Sequence, residues 1–179
     1  VNGLDFEGAV FSNLTRDHLD YHGDMAAYAA AKQGLFTRPK LRWLVSNNDD
    51  ACGQEILKLR PDLPRIAYGR NPVDLPGVLP LTLTEFQPLV EGGTRIGVIS
   101  PWGAAHWTTP LLGYFNVQNS LAVLGALLLH GVAWETALAR MAQLRPVLGR
   151  LECFGGVGAL PLVVVDYAHT PDALQQALL

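Results

Sequence analysis

Short apolar strands and helices alternate along the first 70 residues of this sequence, and that alternation restricts the folds it can adopt. The pattern predicts, in order, a strand at 9–11, a helix at 24–36, a strand at 41–46, a helix at 50–59 and a strand at 66–68. Parallel strands need long crossover connections, which helices usually provide. The order therefore predicts an α/β fold, a mostly parallel sheet flanked by helices.

The middle of the chain has a different pattern and predicts an antiparallel insert or side sheet at about 76–110. Segments 79–86 and 89–100 alternate polar and apolar residues and carry many β-branched side chains. Gly92 and Gly93 lie between apolar flanks, which is a strong hairpin signal. Segment 102–109 is either one more strand or a loop.

The α/β pattern returns in the last third of the chain. It predicts helices at 117–130 and 134–144, and strands at 151–154 and 160–165. The valine run 163–165 is typical of a strand that is buried on both faces. A final helix is predicted to start at Thr170, its N-cap, with Pro171 in the first helical position.

Composition narrows the class of protein. The chain has 179 residues, enough for one domain with a substantial core. Its 13 Lys and Arg are scattered and its net charge is −3, so no basic surface for nucleic acid is indicated. The longest apolar runs are shorter than the ~20 residues of a membrane-spanning helix. The two cysteines, Cys52 and Cys153, form no metal or redox motif, which fits a reducing cytoplasm.

The first candidate site is the polar segment 13–24, which follows the first predicted strand. Two histidines and three aspartates lie between Asp17 and Asp24. Open α/β sheets bind ligands at the carboxyl ends of their strands, and a neutral imidazole such as that of His18 can bind a metal or carry a proton. A polar turn with helix caps and surface charges would explain the same residues.

Lys32 is the second candidate, because it shares a helix face with Met25, Tyr28 and Leu35. One interpretation is that its long stem covers apolar surface while the ammonium reaches water. The other is a partly buried amine that is nucleophilic at neutral pH and reacts with CO2 to give a carbamate. A carbamate would provide oxygen ligands suited to Mg²⁺.

Two further segments contain side chains that suit a nucleotide. Asn116 is a predicted helix N-cap, and Asn119 falls on the same side of the first helical turn. An Asn amide can pair with adenine by donating and accepting at once. Arg150 lies between a helix and a strand and has a fork suited to phosphate, although a surface pair with Glu152 would also explain it.

Asp166 and His169 are the strongest site signal in the chain. They follow the valine run, at the strand end where α/β sheets bind ligands, and they precede the last predicted helix. An acidic strand end followed by an ordinary helix start would explain the same residues. The pattern gives a location and residue types, but it does not define a reaction.

Taken together, five segments resemble the central domain of the Mur ligases, and they occur in the same order. These segments are 13–23, 28–32, 113–119, 149–152 and 166–174. The stretches 16–25 and 165–174 are particularly similar to the MurE type, and 47–53 also resembles it. Five ordered matches across nearly the whole chain are far more specific than one short motif.

The resemblance implies roles for the matching residues. The implied metal ligands are His18 and a carbamylated Lys32, which would together bind Mg²⁺. The implied nucleotide contacts are Asn116 and Asn119 near the adenine, Arg150 at the ATP phosphates, Asp166 at the ribose, and His169 nearby.

The resemblance also implies a reaction, a cytoplasmic ATP-dependent amide ligation in peptidoglycan synthesis. A ligase of the MurE type adds the third amino acid, meso-diaminopimelate or L-lysine, to UDP-MurNAc-L-Ala-D-Glu through an acyl phosphate. Both reacting groups are anionic, so Mg²⁺ and an Arg are needed to neutralise their charge. We expect these small molecules as partners, neither nucleic acid nor membrane, and a monomeric full-length protein.

Residues 1–179 are therefore expected to be a central ATP-binding domain taken from a longer protein. The chain starts without Met, and its start lacks the features of a signal peptide. A Gly-rich phosphate loop and a metal-binding Glu should precede it and a C-terminal domain should follow, so the piece alone is expected to be inactive. Two alternatives stay open: another ligase with this kind of central domain, of the folylpolyglutamate or cyanophycin synthetase type, and a non-catalytic nucleotide-binding relative.

Overall fold

The computed structural model describes residues 3–15, 24–90, 92–156 and 160–178. In this part of the chain six strands form one mixed sheet, in sequence order. The first four are parallel neighbours: β1 (Gly8–Phe11), β2 (Trp43–Asn47), β3 (Arg65–Gly69) and β4 (Val78–Pro88). The last two, β5 (Thr94–Ser100) and β6 (Gly103–Thr109), extend the sheet in antiparallel fashion. The predicted α/β fold is confirmed.

Four helices cover the two faces of this sheet. Helices α1 (Met25–Phe36) and α2 (Ala51–Leu59) pack on one face, and α3 (Tyr114–Leu129) and α4 (Trp134–Met141) pack on the other. Successive strand residues point to opposite faces. In β2, Leu44 therefore packs with α1 and α2, whereas Val45 packs with α3. Strands β2 and β3 are thus buried on both sides, whereas in β1 Val10 is exposed.

Helix α3 approaches the sheet closely at Gly125. A Cβ atom built on this glycine would lie 2.9 Å from Cγ1 of Val45 and 3.2 Å from Cγ2 of Ile66. The glycine therefore permits direct packing of the α3 backbone on β2 and β3, and this packing fixes the position of the amino end of α3 relative to the parallel strands.

The antiparallel region occupies residues 78–109 and continues the parallel sheet through β4. At the hairpin between β4 and β5, Leu89 and Gly93 form a backbone hydrogen bond of 3.0 Å, and Gly92 and Gly93 have φ of +91° and +84°. The predicted hairpin is confirmed, and segment 102–109 contains a strand. The boundaries 76–110 of a separate insert stay a prediction.

The last described elements are β7 (Glu152–Gly155), β8 (Leu162–Val165) and α5 (Pro171–Leu178). Strands β7 and β8 form a separate antiparallel pair, and Thr170 caps α5 by accepting a hydrogen bond from the Ala173 amide at 3.2 Å. The prediction that the valine run is buried was wrong, because Val164 is 45% exposed. A local pattern identifies a strand, but it does not show whether other parts of the fold cover that strand.

No helix in the part of the chain that the structure describes has the length and hydrophobicity needed to span a membrane.

Candidate functional site

The loop that follows β1 lies at the carboxyl edge of the parallel sheet, and side chains from the neighbouring loop hold it in place. The amide nitrogen of buried Asn47 donates to the Ser12 carbonyl at 2.8 Å. The Asp50 carboxylate accepts from the Leu14 amide at 2.8 Å. The polar turn at the end of β2 therefore determines the path of residues 12–15.

A second carboxylate at this edge, Asp49, connects three elements. It accepts the backbone amides of Arg70 and Asn71, both at 2.9 Å, and the hydroxyl of Tyr114 at 3.1 Å. Burial and the adjacent Asp49 charge raise the pKa of Tyr114 to about 12. The Arg70 guanidinium lies 4.4 Å from the centre of the Tyr114 ring. Through this cluster the amino end of α3 is attached to the ends of β2 and β3.

A cavity of about 500 Å³ runs along the first turns of α3, and we name it the α3 cavity. Its polar lining comes from Asn116, Asn119, Arg145 and Arg150. Its apolar lining comes from Leu111, Phe115, Val123, Leu144 and Val147. An apolar cleft with a few convergent polar groups is typical of a small-molecule site.

The two asparagines of the α3 cavity differ in their surroundings. Asn116 is half-buried and donates its amide to the Leu112 carbonyl at 2.8 Å, whereas Asn119 is exposed. The prediction that Asn116 is the helix N-cap was wrong, since that position belongs to Gly113 with φ of +81°. A glycine reaches this left-handed conformation easily, so the chain turns there and α3 starts earlier than predicted.

A second cavity of about 260 Å³ lies at the carboxyl end of β8, and we name it the β8 cavity. Its lining includes Asn13 and Thr15 from the loop after β1, together with Asp166 and His169. Phe115 and Arg150 line both cavities, so the two spaces adjoin. The structure thus places Asn116, Asn119, Arg150, Asp166 and His169 in the walls of two neighbouring cavities.

Asp166 organises the β8 cavity through its two carboxylate oxygens. One accepts from the Leu151 amide at 3.0 Å and the other from the Ala168 amide at 2.8 Å. The ring of exposed His169 lies 5.1 Å from the ring of Tyr167, with its Nδ1 3.0 Å from the Tyr167 carbonyl oxygen. Neither Tyr167 nor Phe115 was singled out from the sequence, because an aromatic residue beside a polar motif resembles ordinary core.

Arg150 is exposed and its guanidinium lies 5.2 Å from the centre of the Tyr167 ring. A surface pair with Glu152 was the alternative explanation for Arg150, but Glu152 accepts a hydrogen bond from the Gly149 amide at 2.9 Å. Between them, Leu151 has φ of +44°, a left-handed conformation that costs a non-glycine residue about 1 kcal/mol or more. The Arg150 segment is therefore held in a strained turn. Asp166 stabilises this turn by accepting a hydrogen bond from the Leu151 amide.

Lys32 lies on α1, beside the loop after β1. Its Nζ donates to the Asn13 carbonyl at 3.0 Å and lies 4.9 Å from the centre of the Tyr28 ring. The side chain is half-buried and lines a cleft of about 330 Å³ with Ser12 and Phe11. Asn13 thereby connects Lys32 to the β8 cavity, whose wall it also forms.

The residues near Lys32 limit which ions can bind there. As an ammonium, Lys32 repels Mg²⁺, so the Lys32–Asn13 pair fits this ion only if the amine carries a carboxylate-like group. His18 lies outside the described residues. Within residues 3–15, 24–90, 92–156 and 160–178, no group of three or more His, Cys, Asp and Glu side chains could hold a metal ion.

These features define an α/β domain with a candidate small-molecule site near the carboxyl edge of its parallel strands. The sequence model of the Mur ligase middle domain matches residues 1–127. The chain belongs to this family of ligase domains.

Individual relatives agree with this assignment. The chain is 45% identical over 179 residues to a UDP-N-acetylmuramoyl-L-alanyl-D-glutamate--2,6-diaminopimelate ligase of Coxiella burnetii, covering 99% of this chain and 36% of that protein. The ligase of the same name from Ralstonia nicotianae is 47% identical over 185 residues, at 99% and 35% coverage. A solved structure with this name superposes with a TM-score of 0.79 at 35% identity, covering 99% of this chain and 36% of that one. The chain thus spans about one third of the length of these relatives.

Proposed function

We propose that this chain is the central nucleotide-binding domain of an ATP-dependent amide ligase that joins a diamino acid to UDP-MurNAc-L-Ala-D-Glu. The observation that carries the proposal is the adjoining pair of cavities, with Arg150 and Phe115 in their common wall. The relatives named above are diaminopimelate ligases, so meso-diaminopimelate is the proposed amino acid and L-lysine the alternative.

The side chains that line the two cavities favour one orientation of a bound adenine nucleotide. The α3 cavity has apolar side chains for a flat base and the amides of Asn116 and Asn119 for its polar edge. The Asp166 carboxylate lines the β8 cavity, and a carboxylate is a suitable acceptor for a ribose hydroxyl. Arg150 lines both spaces, and the fork of its guanidinium suits phosphate oxygens. The base therefore belongs in the α3 cavity, and the ribose and phosphates extend towards the β8 cavity.

The proposed reaction brings together two anions, the γ-phosphate of ATP and the D-glutamyl carboxylate. Positive charge at this position lowers the barrier, since transition-state charge is stabilised by groups that are already oriented. In this chain Arg150 is the candidate for that role. Mg²⁺, when bound, would supply further neutralisation. The proposed ligands of this ion are His18 and a carbamylated Lys32, and the Asn13 carbonyl lies beside Lys32.

The proposal also covers the whole protein. Residues 1–179 would be one domain of a cytoplasmic ligase, with the phosphate loop before it and the domain that binds the diamino acid after it. The substrates are small molecules, and neither a nucleic acid nor a membrane is needed for the chemistry. We expect the full-length protein to be a monomer.

The test is ADP release by the full-length protein with ATP, Mg²⁺ and UDP-MurNAc-L-Ala-D-Glu, with meso-diaminopimelate or L-lysine added in turn. We expect release that depends on one of the two amino acids and is lost in Lys32→Ala. Lys40→Ala is the matched control, because Lys40 is an exposed lysine that pairs with Asp5 at 2.6 Å, away from both cavities. The absence of release with either amino acid would refute the proposed reaction. ADP binding without release would then favour a non-catalytic relative.

A further inference from the structure

The carboxylate of Asp50 makes two kinds of contact at once, one on each oxygen. Its Oδ1 accepts the amides of Cys52 and Gly53, at 2.8 and 3.1 Å, and so caps helix α2. Its Oδ2 accepts the amide of Leu14 at 2.8 Å, across 36 residues of sequence. The first contact is an ordinary N-cap, but the second fixes a loop that α2 does not need.

The loop held by Oδ2 contributes to both halves of the candidate site. Directly before Leu14, the Asn13 carbonyl accepts the Lys32 ammonium at 3.0 Å. On both sides of Leu14, Asn13 and Thr15 line the β8 cavity with Asp166. Moving the Leu14 amide would therefore shift the acceptor of Lys32 and one wall of the cavity together.

Among the described residues, few other hydrogen bonds hold this loop, and the partly buried Leu14 side chain packs on the apolar cluster between the sheet and helices α1 and α2. The Asn47 amide donates to the Ser12 carbonyl at 2.8 Å, one residue earlier than Asn13. Asn13 and Thr15 are themselves exposed, so their positions depend on how Leu14, between them, is held. Asp50 is half-buried and held in place by α2, which makes it a rigid acceptor.

We propose that Asp50 is a positioning residue of the ligase: by holding the Leu14 amide it places Asn13 and Thr15 so that the Lys32 contact and the nucleotide cavity form together. This inference rests on the proposed function. Among the described residues, Asp50 lines neither cavity and forms no hydrogen bond with Lys32, so it acts through the loop.

The two roles of Asp50 can be separated by substitution. Asn and Ser are as effective as Asp at an N-cap, so Asp50→Asn and Asp50→Ser keep the α2 cap. Asn has only one acceptor oxygen, and once this oxygen caps α2 its NH2 group faces the Leu14 amide. The Ser side chain is shorter by one bond and does not reach Leu14. Both variants thus lose the loop contact by different routes.

Three measurements on the full-length protein test the inference. They are the Kd for ADP with Mg²⁺ by calorimetry, the exchange rate of the Leu14 amide by NMR without nucleotide, and the KM values for ATP and for the diamino acid. In both variants we expect faster Leu14 exchange and a Kd for ADP that rises about tenfold, the effect of one lost charge-assisted hydrogen bond. The KM for ATP should rise in parallel, whereas the KM for the diamino acid should not change. Asp62→Asn is the control, since this exposed carboxylate pairs with Arg60.

Each outcome distinguishes this inference from the proposed function. A lower melting temperature and a lower kcat with both KM values unchanged would make Asp50 a helix cap only and overturn the inference, as would an unchanged Kd for ADP. A wild-type protein that binds ADP but forms no amide would refute the proposed reaction, and the Kd values of the variants would still decide the role of Asp50. A wild-type protein that binds no ADP would overturn both.

Discussion

The carboxylate of Asp166 accepts a hydrogen bond from the amide of Leu151 at 3.0 Å, and Leu151 directly follows Arg150. The candidate ribose acceptor thus also fixes the turn that carries the candidate phosphate ligand. Because Leu151 has φ of +44°, this turn is strained and needs an interaction that stabilises it. Asp166 therefore has a structural role before any nucleotide arrives.

Asp166→Ala should release the Arg150 turn in the nucleotide-free protein. The amide of Leu151 loses its acceptor, so we expect its hydrogen exchange to accelerate and the affinity for ADP to fall at least tenfold, since a charge-assisted bond and a ligand contact are both lost. NMR exchange and calorimetry measure the two effects. Asp74→Ala, at an exposed position, is the control. Unchanged exchange at Leu151 would show that Asp166 only contacts the ligand.

Substitutions of the two asparagines of the α3 cavity should differ in their effects on ADP binding and on the free energy of unfolding. Asn116 donates to the Leu112 carbonyl at 2.8 Å, so Asn116→Ala should cost ~1 kcal/mol of unfolding free energy in addition to weakening ADP binding. Asn119 is exposed, and Asn119→Ala should weaken ADP binding without changing stability. Urea denaturation and calorimetry on both variants provide the comparison. Equal losses of unfolding free energy in the two variants would contradict the assignment of a structural role to Asn116 but not to Asn119.

The sequence predicted the elements of this site better than it predicted their contacts. Short apolar runs located β1, β2 and β3, because strands of a parallel sheet that is covered on both faces are apolar throughout, and an Ala-rich segment after Asp24 located α1. Asp49 and Tyr114 are 65 residues apart, and nothing local relates a strand-end carboxylate to a helix-start phenol. Asp50 and Leu14 are likewise far apart in the sequence, at 36 residues, and no local pattern relates them.

The two wrong predictions also concern tertiary context. The amino end of α3 depends on the conformation of Gly113, and Asn116 is as suitable for an N-cap by residue type as for the first turn. The valines of β8 have the composition of a buried strand, but in the described residues β8 pairs only with β7 and both strands are exposed. Residue type determines what an element can bury, whereas its neighbours determine what it does bury.

Two helical glycines should respond to alanine in opposite directions. Gly34 on α1 has open space around it, so Gly34→Ala should stabilise the protein by ~0.5–1 kcal/mol through helix propensity. Gly125 on α3 lies against Val45 and Ile66, and Gly125→Ala should destabilise it by ~1–3 kcal/mol through overpacking. Urea denaturation of the two variants measures both effects. A destabilising Gly34→Ala would mean that α1 requires a residue without a side chain at that turn.

Ionisation of Tyr114 should lower the stability of the domain at alkaline pH. Burial, with the charge of Asp49, raises the pKa of Tyr114 from its ordinary value of 10.0 to about 12 in the folded state. The unfolded chain therefore loses this proton first. The stabilisation from the neutral phenol is complete below pH ~10 and is lost as the pH rises from ~10 to ~12.

Tyr114→Phe isolates this contribution, because Phe retains the ring against Arg70 but cannot ionise or donate to Asp49. At neutral pH we expect the variant to be less stable by ~1 kcal/mol, the net value of one hydrogen bond. Between pH ~9 and ~12 its unfolding free energy should fall less steeply than that of the wild type, so that the two curves converge. Urea denaturation at a series of pH values measures both curves. Parallel curves over this range would show that the phenol ionises equally in the folded and unfolded chains and would contradict the prediction.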